Sequence, residues 1–155
     1  MKRDRGWPNN LKVASALRGR RVFDESEQWE YANAVKGYFK GECPFDKLTG
    51  GLTSDIKVIN DIRIADGQMA QLDALVVTDS AIFLFELKYY EGPVSIRDGQ
   101  IFVNEQSSVN DPLERLGRAK KLLEKKLYKN RLQLPVVAKL VFMNPDMLIY
   151  GNHPD

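Results

Sequence analysis

Residues 71–88 read QLDALVVTDSAIFLFELK, two apolar segments on either side of a short polar break. Both segments alternate and are rich in Val, Ile, Leu and Phe, the pattern of half-buried strands, and Thr78-Asp79-Ser80-Ala81 reads as the turn between them. With Asp79 and Ser80 as the loop residues, Thr78 pairs with Ala81, and the same register sets Asp73 opposite Glu86 and Gln71 opposite Lys88. Any symmetric loop centred there keeps these pairs, whereas a three-residue loop shifts them, and Asp-Ser is not a favoured two-residue turn. Directly opposed residues have Cβ atoms about 4.5 to 5.5 Å apart, where like charges repel. Two carboxylates aimed at one small space coexist if one keeps a proton, if a cation bridges them, or if water solvates both. Lys88 shares the face of Glu86, because side chains alternate with period two, and brings a mobile ammonium to the same space. The plainer alternative is a salt-bridge cluster on a solvated sheet face.

Upstream, residues 55–64 alternate around Ile56, Val58, Ile62 and Ile64 and predict a strand that turns at Ala65-Asp66-Gly67. Before it, residues 1–10 predict a loose arm, followed by a short helix capped by Asn10 and ended by Gly19. A stronger helix starts at Asp24 or Ser26 and carries Trp29, Ala32, Val35 and Phe39 along one side. Pro44 either kinks that helix or begins another, and Glu42 is left at the junction. Downstream, Glu91-Gly92-Pro93 breaks the strand, and Asp98-Gly99 marks a second, short hairpin expected at the sheet edge. Asp111-Pro112 opens a long helix with Leu113, Leu116, Leu123 and Leu127 on its buried side. Residues 135–143, PVVAKLVFM, predict a strand buried on both faces and parallel to a neighbour. The expected fold is α/β of the α+β kind, a central mixed β-sheet flanked by helices. Residues 1–21 form a basic N-terminal arm and residues 22–155 a single domain.

With one cysteine, Cys43, an intramolecular disulfide framework and a multi-cysteine zinc site are excluded. A reducing, cytoplasmic setting follows. The one histidine, His153, all but excludes histidine triads, so acid–base work falls to carboxylates and lysines. No run approaches the about 20 apolar residues that span a bilayer, and the basic N-terminus lacks the apolar core of a signal peptide. A net charge of +2 hides a segregation of charge. Lys2, Arg3, Arg5, Lys12, Arg18, Arg20 and Arg21 face one acid, Asp4, whereas residues 22–113 are acidic. Then Arg115, Arg118, Lys120, Lys121, Lys125, Lys126, Lys129 and Arg131 crowd the long helix against Glu114 and Glu124. A basic helix beside a carboxylate pair suits a polyanion held by its phosphates; the bland alternative is a solvated helix face.

The order of these elements resembles the PD-(D/E)xK nuclease superfamily and, more narrowly, its nuclease-related domain, NERD. The resemblance rests on Gly41-Glu42, Gln71-Leu72-Asp73-Ala74-Leu75, Phe85-Glu86-Leu87-Lys88, Gly92 and Asp111-Pro112-Leu113, and covers roughly residues 36–145. It implies a restriction-endonuclease-like core and metal-dependent hydrolysis of nucleic-acid phosphodiesters, DNA foremost. Asp73 and Glu86 would hold Mg2+, with Mn2+ as a substitute, helped by the Leu87 carbonyl and by Glu42 directly or through water. Lys88 would position or activate the attacking water or neutralise charge on the phosphate, and Gln71 would orient the site from behind. Arg115, Arg118, Lys121 and Lys125 would bind the nucleic-acid backbone, with no part for a membrane. Two departures from the family pattern bear on the site. Arg115 stands where such domains usually carry a glutamine, and Pro44 closely follows Glu42.

Two other function classes compete. One keeps the fold without the chemistry, as a catalytically inactive nucleic-acid-binding or scaffold module, and Arg115 favours it. The other is a partner-binding domain whose basic arm and helix meet an acidic protein or a membrane surface.

Overall fold

The computed structural model describes residues 5–53, 55–107 and 111–151; Lys2, Arg3 and His153 lie outside them. In order the elements are α1 (Asn9–Arg18), α2 (Glu25–Gly37), a π-helical turn (Tyr38–Glu42), α3 (Cys43–Thr49), β1 (Lys57–Asp66), β2 (Gln68–Val77), β3 (Ile82–Lys88), β4 (Val94–Arg97), β5 (Gln100–Val103), β6 (Gln106–Ser107), α4 (Pro112–Lys129), β7 (Val136–Phe142) and β8 (Ile149–Tyr150). Among the described residues no helix is long and apolar enough to cross a membrane.

The mixed central sheet has the order β1-β2-β3-β7. β1, β2 and β3 run antiparallel in sequence, and β7 returns parallel to β3, pairing Ile82 with Val136 through Lys88 with Phe142. A parallel neighbour requires a crossover, and α4 supplies it by laying its apolar stripe across the sheet. Leu116, Ala119 and Leu123 of α4 close a core with Ile64, Leu72, Leu75, Ile82, Leu84 and Val136. α4 starts as the sequence predicts: Pro112 sits in its first turn and the Asp111 carboxylate accepts the Leu113 amide at 2.8 Å. Asp111→Ala should therefore lower unfolding free energy by about 0.5–2 kcal/mol in urea titration, with Asp111→Asn nearer neutral.

Three expectations need correction. The second hairpin, β4–β5, is not at the edge of the central sheet; it belongs to a smaller sheet of order β6-β5-β4-β8 with its own core of Val94, Ile96 and Ile101. Gly92 turns the chain out of the first sheet at φ +90°, and a Cβ there would meet Asn104 Oδ1 at 2.2 Å. β7 is an edge strand with only Val136 buried, and its apolar residues on both sides pack partly against separate small cores. Trp29 and Phe39, expected on a buried side of α2, are 69% and 54% exposed, because α2 packs chiefly against α1 and the π-helical turn rather than the sheet.

Residues 5–8, the described part of the N-terminal arm that was expected to be loose, are docked. Trp7 lies edge-on to the rings of Tyr38 and Phe39, with centroids 5.3 and 5.7 Å away, and the Arg5 side chain is buried. α1 then starts directly after Pro8 without a side-chain cap, where Asn10 was expected to cap it. α2, opened by a capping box of Asp24 and Glu27, runs through the π-helical turn into α3. Pro44 falls in the first turn of α3, directly after the π-helical turn.

Candidate active site

β2 and β3 adopt the expected register, pairing Val77 with Ile82, Val76 with Phe83, Leu75 with Leu84 and Ala74 with Phe85. Beyond Ala74 the bonding changes: the Asp73 carboxylate accepts the Leu87 amide through Oδ2 at 2.7 Å. The side chain of one strand thus takes a main-chain donor of the next, which pins Asp73 beside the Glu86-Leu87-Lys88 run. Burial and the charge of Glu86 push Asp73 above the usual carboxylate range, while the Leu87 amide, Lys88 and Arg115 pull the other way.

Glu86 is 1% exposed. Two cations meet its Oε1, Lys88 Nζ at 2.7 Å and Arg115 Nη1 at 3.4 Å, yet that oxygen has no directed hydrogen bond. A buried carboxylate normally needs both charge balance and hydrogen bonds. Here the two cations at Oε1 supply the charge balance, and no hydrogen bond is directed at that oxygen. The Lys88 side chain remains 23% exposed.

Glu42 ends the π-helical turn, a distortion that inserts an extra residue and re-aims the side chains that follow it. Its Oε2 accepts from Arg5 Nη1. Burial nevertheless lifts Glu42 to about 7, with Asp73 and Asp61 adding to the rise and Arg5 opposing it. The guanidinium is shared with Asp46 and so offsets only part of the cost of burial. The sign for stability follows. Folded Glu42 keeps its proton to a higher pH than the unfolded chain, so its contribution is full below about 4.5 and is lost as pH rises through about 7. Thermal melts in chelator should show stability falling across that window, with a shallower slope for Glu42→Gln.

The β2–β3 pairing ends at Ala74–Phe85, short of Gln71 and Lys88. Gln71 pairs with Arg63 of β1, and its Nε2 donates to Asp61 Oδ1 at 2.8 Å. Asp61 sits at φ +49° between the pairs Asn60–Ala74 and Ile62–Leu72, which places it across from Asp73. A non-glycine residue held there is strained, and such strain gathers at functional sites. Neither Asp61 nor Asp46, which takes both Arg5 and Asn60 Nδ2, stands out in the sequence. Leu87 contributes its amide to Asp73 while its own strand pairs with β7 at Val141.

Of the expected nucleic-acid contacts, the fold brings Arg115 and Arg118 together with Arg63 around a cleft of about 630 Å³ that also touches Gln71. Glu86 does not line the cleft itself; Arg115 links the two, lining the cleft and contacting Glu86. Lys121 does not line it, and Lys125 is engaged with Asp66 at 3.0 Å, alongside Lys129 at 2.9 Å. Arg63, isolated on β1, carries no signal in the sequence.

The donors present suit a hard cation. Among the described residues no group of three or more His, Cys, Asp or Glu is arranged for a metal, so an ion here would rely on Asp73 and Glu86 with main-chain oxygen and water. Mg2+ accepts one or two carboxylates and keeps several waters, whereas structural zinc wants four nitrogen or sulfur ligands. The Glu86 oxygen without a hydrogen bond and the mutual repulsion of Asp73 and Glu86 both fit such an ion.

The family model described as nuclease-related domain matches residues 39–143, more than half of the chain. The matched span runs from the π-helical turn to the end of β7 and contains Glu42, Asp73, Glu86 and Lys88. No curated protein and no solved structure matches.

Proposed function

Since the chain belongs to the nuclease-related domain family, we propose that it is a metal-dependent nuclease that hydrolyses phosphodiester bonds of nucleic acid, DNA foremost. The observation that carries this reading is Glu86, buried yet short of a hydrogen bond, with Lys88 Nζ 2.7 Å away and Asp73 pinned alongside by the Leu87 amide. Mg2+, or Mn2+ in its place, would be held by Asp73, Glu86 and the Leu87 carbonyl, with Glu42 aiding through water; when bound it supplies positive charge to a phosphate oxygen and lowers the pKa of water.

The chain's own residues do the rest. Lys88 orients the attacking water and offsets charge that develops on the phosphate. The water oxygen loses a proton to solvent and forms a bond to phosphorus as the bond to the departing sugar oxygen breaks, and solvent supplies that oxygen's proton. Arg63, Arg115 and Arg118 draw the backbone into the cleft that Arg115 links to Glu86. Lys121 and Lys125, at greater remove, act only on the approach of a polyanion. Gln71 holds Asp61 and, through it, the wall of β1 next to Asp73. The single Cys43 accords with a cytoplasmic setting.

The test is incubation of purified protein with duplex DNA, single-stranded DNA and RNA in Mg2+, Mn2+ or chelator. Cleavage is expected with either metal and none in chelator; cleavage in chelator defeats the proposal. Proton competition for Glu42, which is lifted to about 7, should make cleavage rise with pH through neutrality. A second reading is favoured by the contact of Arg115 with Glu86 at 3.4 Å. If that guanidinium keeps cations off Glu86, the domain binds nucleic acid without cutting it. Binding that weakens steeply with salt, and no cleavage in either metal, would select it.

A further inference from the structure

The arm before α1 contributes a residue to the site, and it lies outside the span that matches the family. Arg5 is only 3% exposed in its side chain, although it belongs to a highly charged segment that water would solvate freely. Its Nε and Nη2 take the two oxygens of Asp46 at 2.8 and 3.2 Å, Nη1 takes Glu42 Oε2, and Nη2 also donates to the main-chain oxygen of Asp73 at 3.0 Å. One planar group therefore joins the π-helical turn, α3 and β2. Asp46 is braced in turn by Asn60 from β1 at 3.0 Å. Trp7, on the same arm, is seated on Tyr38 and Phe39 of the turn that carries Glu42.

A lysine, with a point charge and no fork, would not satisfy this set of acceptors. Burial would lower the basicity of the guanidinium, but the Asp46 bond and the charges of Glu42, Asp46 and Asp73 more than reverse that, so it stays a cation. Its contacts are selective. It holds one oxygen of Glu42 and touches Asp73 only at the main chain, while the Asp73 carboxylate faces the Leu87 amide. A group that blocked the site would instead sit on the Asp73 or Glu86 carboxylate.

We propose that Arg5 is a positioning residue of the active site, a clip that fixes Glu42 relative to the Asp73 strand and so sets the donor geometry for a divalent cation. The proposal rests on the metal-dependent reading above and makes the N-terminal arm part of the working domain. Residues that hold metal ligands from behind are typically worth about 10- to 100-fold in affinity or activity.

Mn2+ binding by titration calorimetry and initial cleavage rates, measured on the full chain, test it. Arg5→Ala should weaken Mn2+ binding and cleavage by about 10- to 100-fold, leave KM for DNA near the wild-type value, and regain part of both losses in free guanidinium. Arg5→Lys, which keeps the charge and loses the fork, should fall between; should Arg5→Ala fail to fold by circular dichroism, Arg5→Lys carries the test. Mn2+ binding that is unchanged or tighter without Arg5, in a wild type whose site is lost in Asp73→Ala, overturns the positioning role alone. A wild-type protein with no Asp73-dependent Mn2+ site overturns the nuclease reading and this role together.

Discussion

Asp73→Ala and Lys88→Ala are each expected to cut Mg2+-dependent cleavage by more than about 100-fold, beyond what residues one step removed from a metal usually cost. The two losses should arise differently. On the proposed reading Asp73 would be a donor to the cation, and Asp73→Asn keeps an acceptor for the Leu87 amide, 2.7 Å away, while removing the charge. That variant should fold as the wild type does and fail to bind Mn2+. On the same reading Lys88 would not be a ligand; its ammonium lies 2.7 Å from Glu86 Oε1 and its side chain is 23% exposed. Lys88→Ala should therefore retain Mn2+ binding, or tighten it as a competing cation leaves Glu86, while kcat collapses. Mn2+ titration and initial rates on the same preparations separate the roles. Wild-type rates in either variant would show that hydrolysis occurs elsewhere or comes from a contaminant.

The hairpin that aligns these residues was readable because its information is local. Alternation in residues 71–77 and 82–88 defines faces, a two-residue break defines register, and the period of two places Lys88 with Glu86. The surroundings depend on contacts no window contains. Arg5 reaches partners 37 to 68 positions away, and nothing in a basic, glycine- and proline-bearing arm distinguishes the one arginine that becomes buried. Trp29 and Phe39 show helical spacing, but spacing states only that a face exists and not that anything covers it. The π-helical turn shifts main-chain bonds without a distinctive composition, and the positive φ of Asp61 falls within a strand whose alternation looks unbroken. The second sheet escaped detection because a turn at Gly92 sets the direction of the chain, which hydropathy does not record. Arg63 lies on a different element from the basic helix, so only the packing of α4 on the sheet reveals their shared cleft.

Arg115→Gln should move metal binding and nucleic-acid binding in opposite directions. Arg115 stands 3.4 Å from a buried Glu86 oxygen that lacks a hydrogen bond, and it also lines the cleft with Arg63 and Arg118. As a fixed cation beside the proposed metal donor Glu86 it would compete with a divalent ion; a neutral glutamine removes the competition and can still donate one hydrogen bond. Partly exposed pairs are worth up to about 1 kcal/mol, so Mn2+ should bind several-fold tighter. Removing one of three cleft charges should weaken DNA binding and reduce the dependence of log K on log salt by about 0.9 for a duplex, or about 0.7 for a single strand. Cleavage measured against Mg2+ at low and high DNA concentration then discriminates the two functions. A gain at low Mg2+ with a higher KM makes Arg115 a tuning residue of an active nuclease. Activity that appears in Arg115→Gln and is absent from the wild type makes the native domain a binding module silenced by this guanidinium. Weaker Mn2+ binding in Arg115→Gln would refute the competition, because it would require the arginine to support Glu86 as a ligand rather than contend for it.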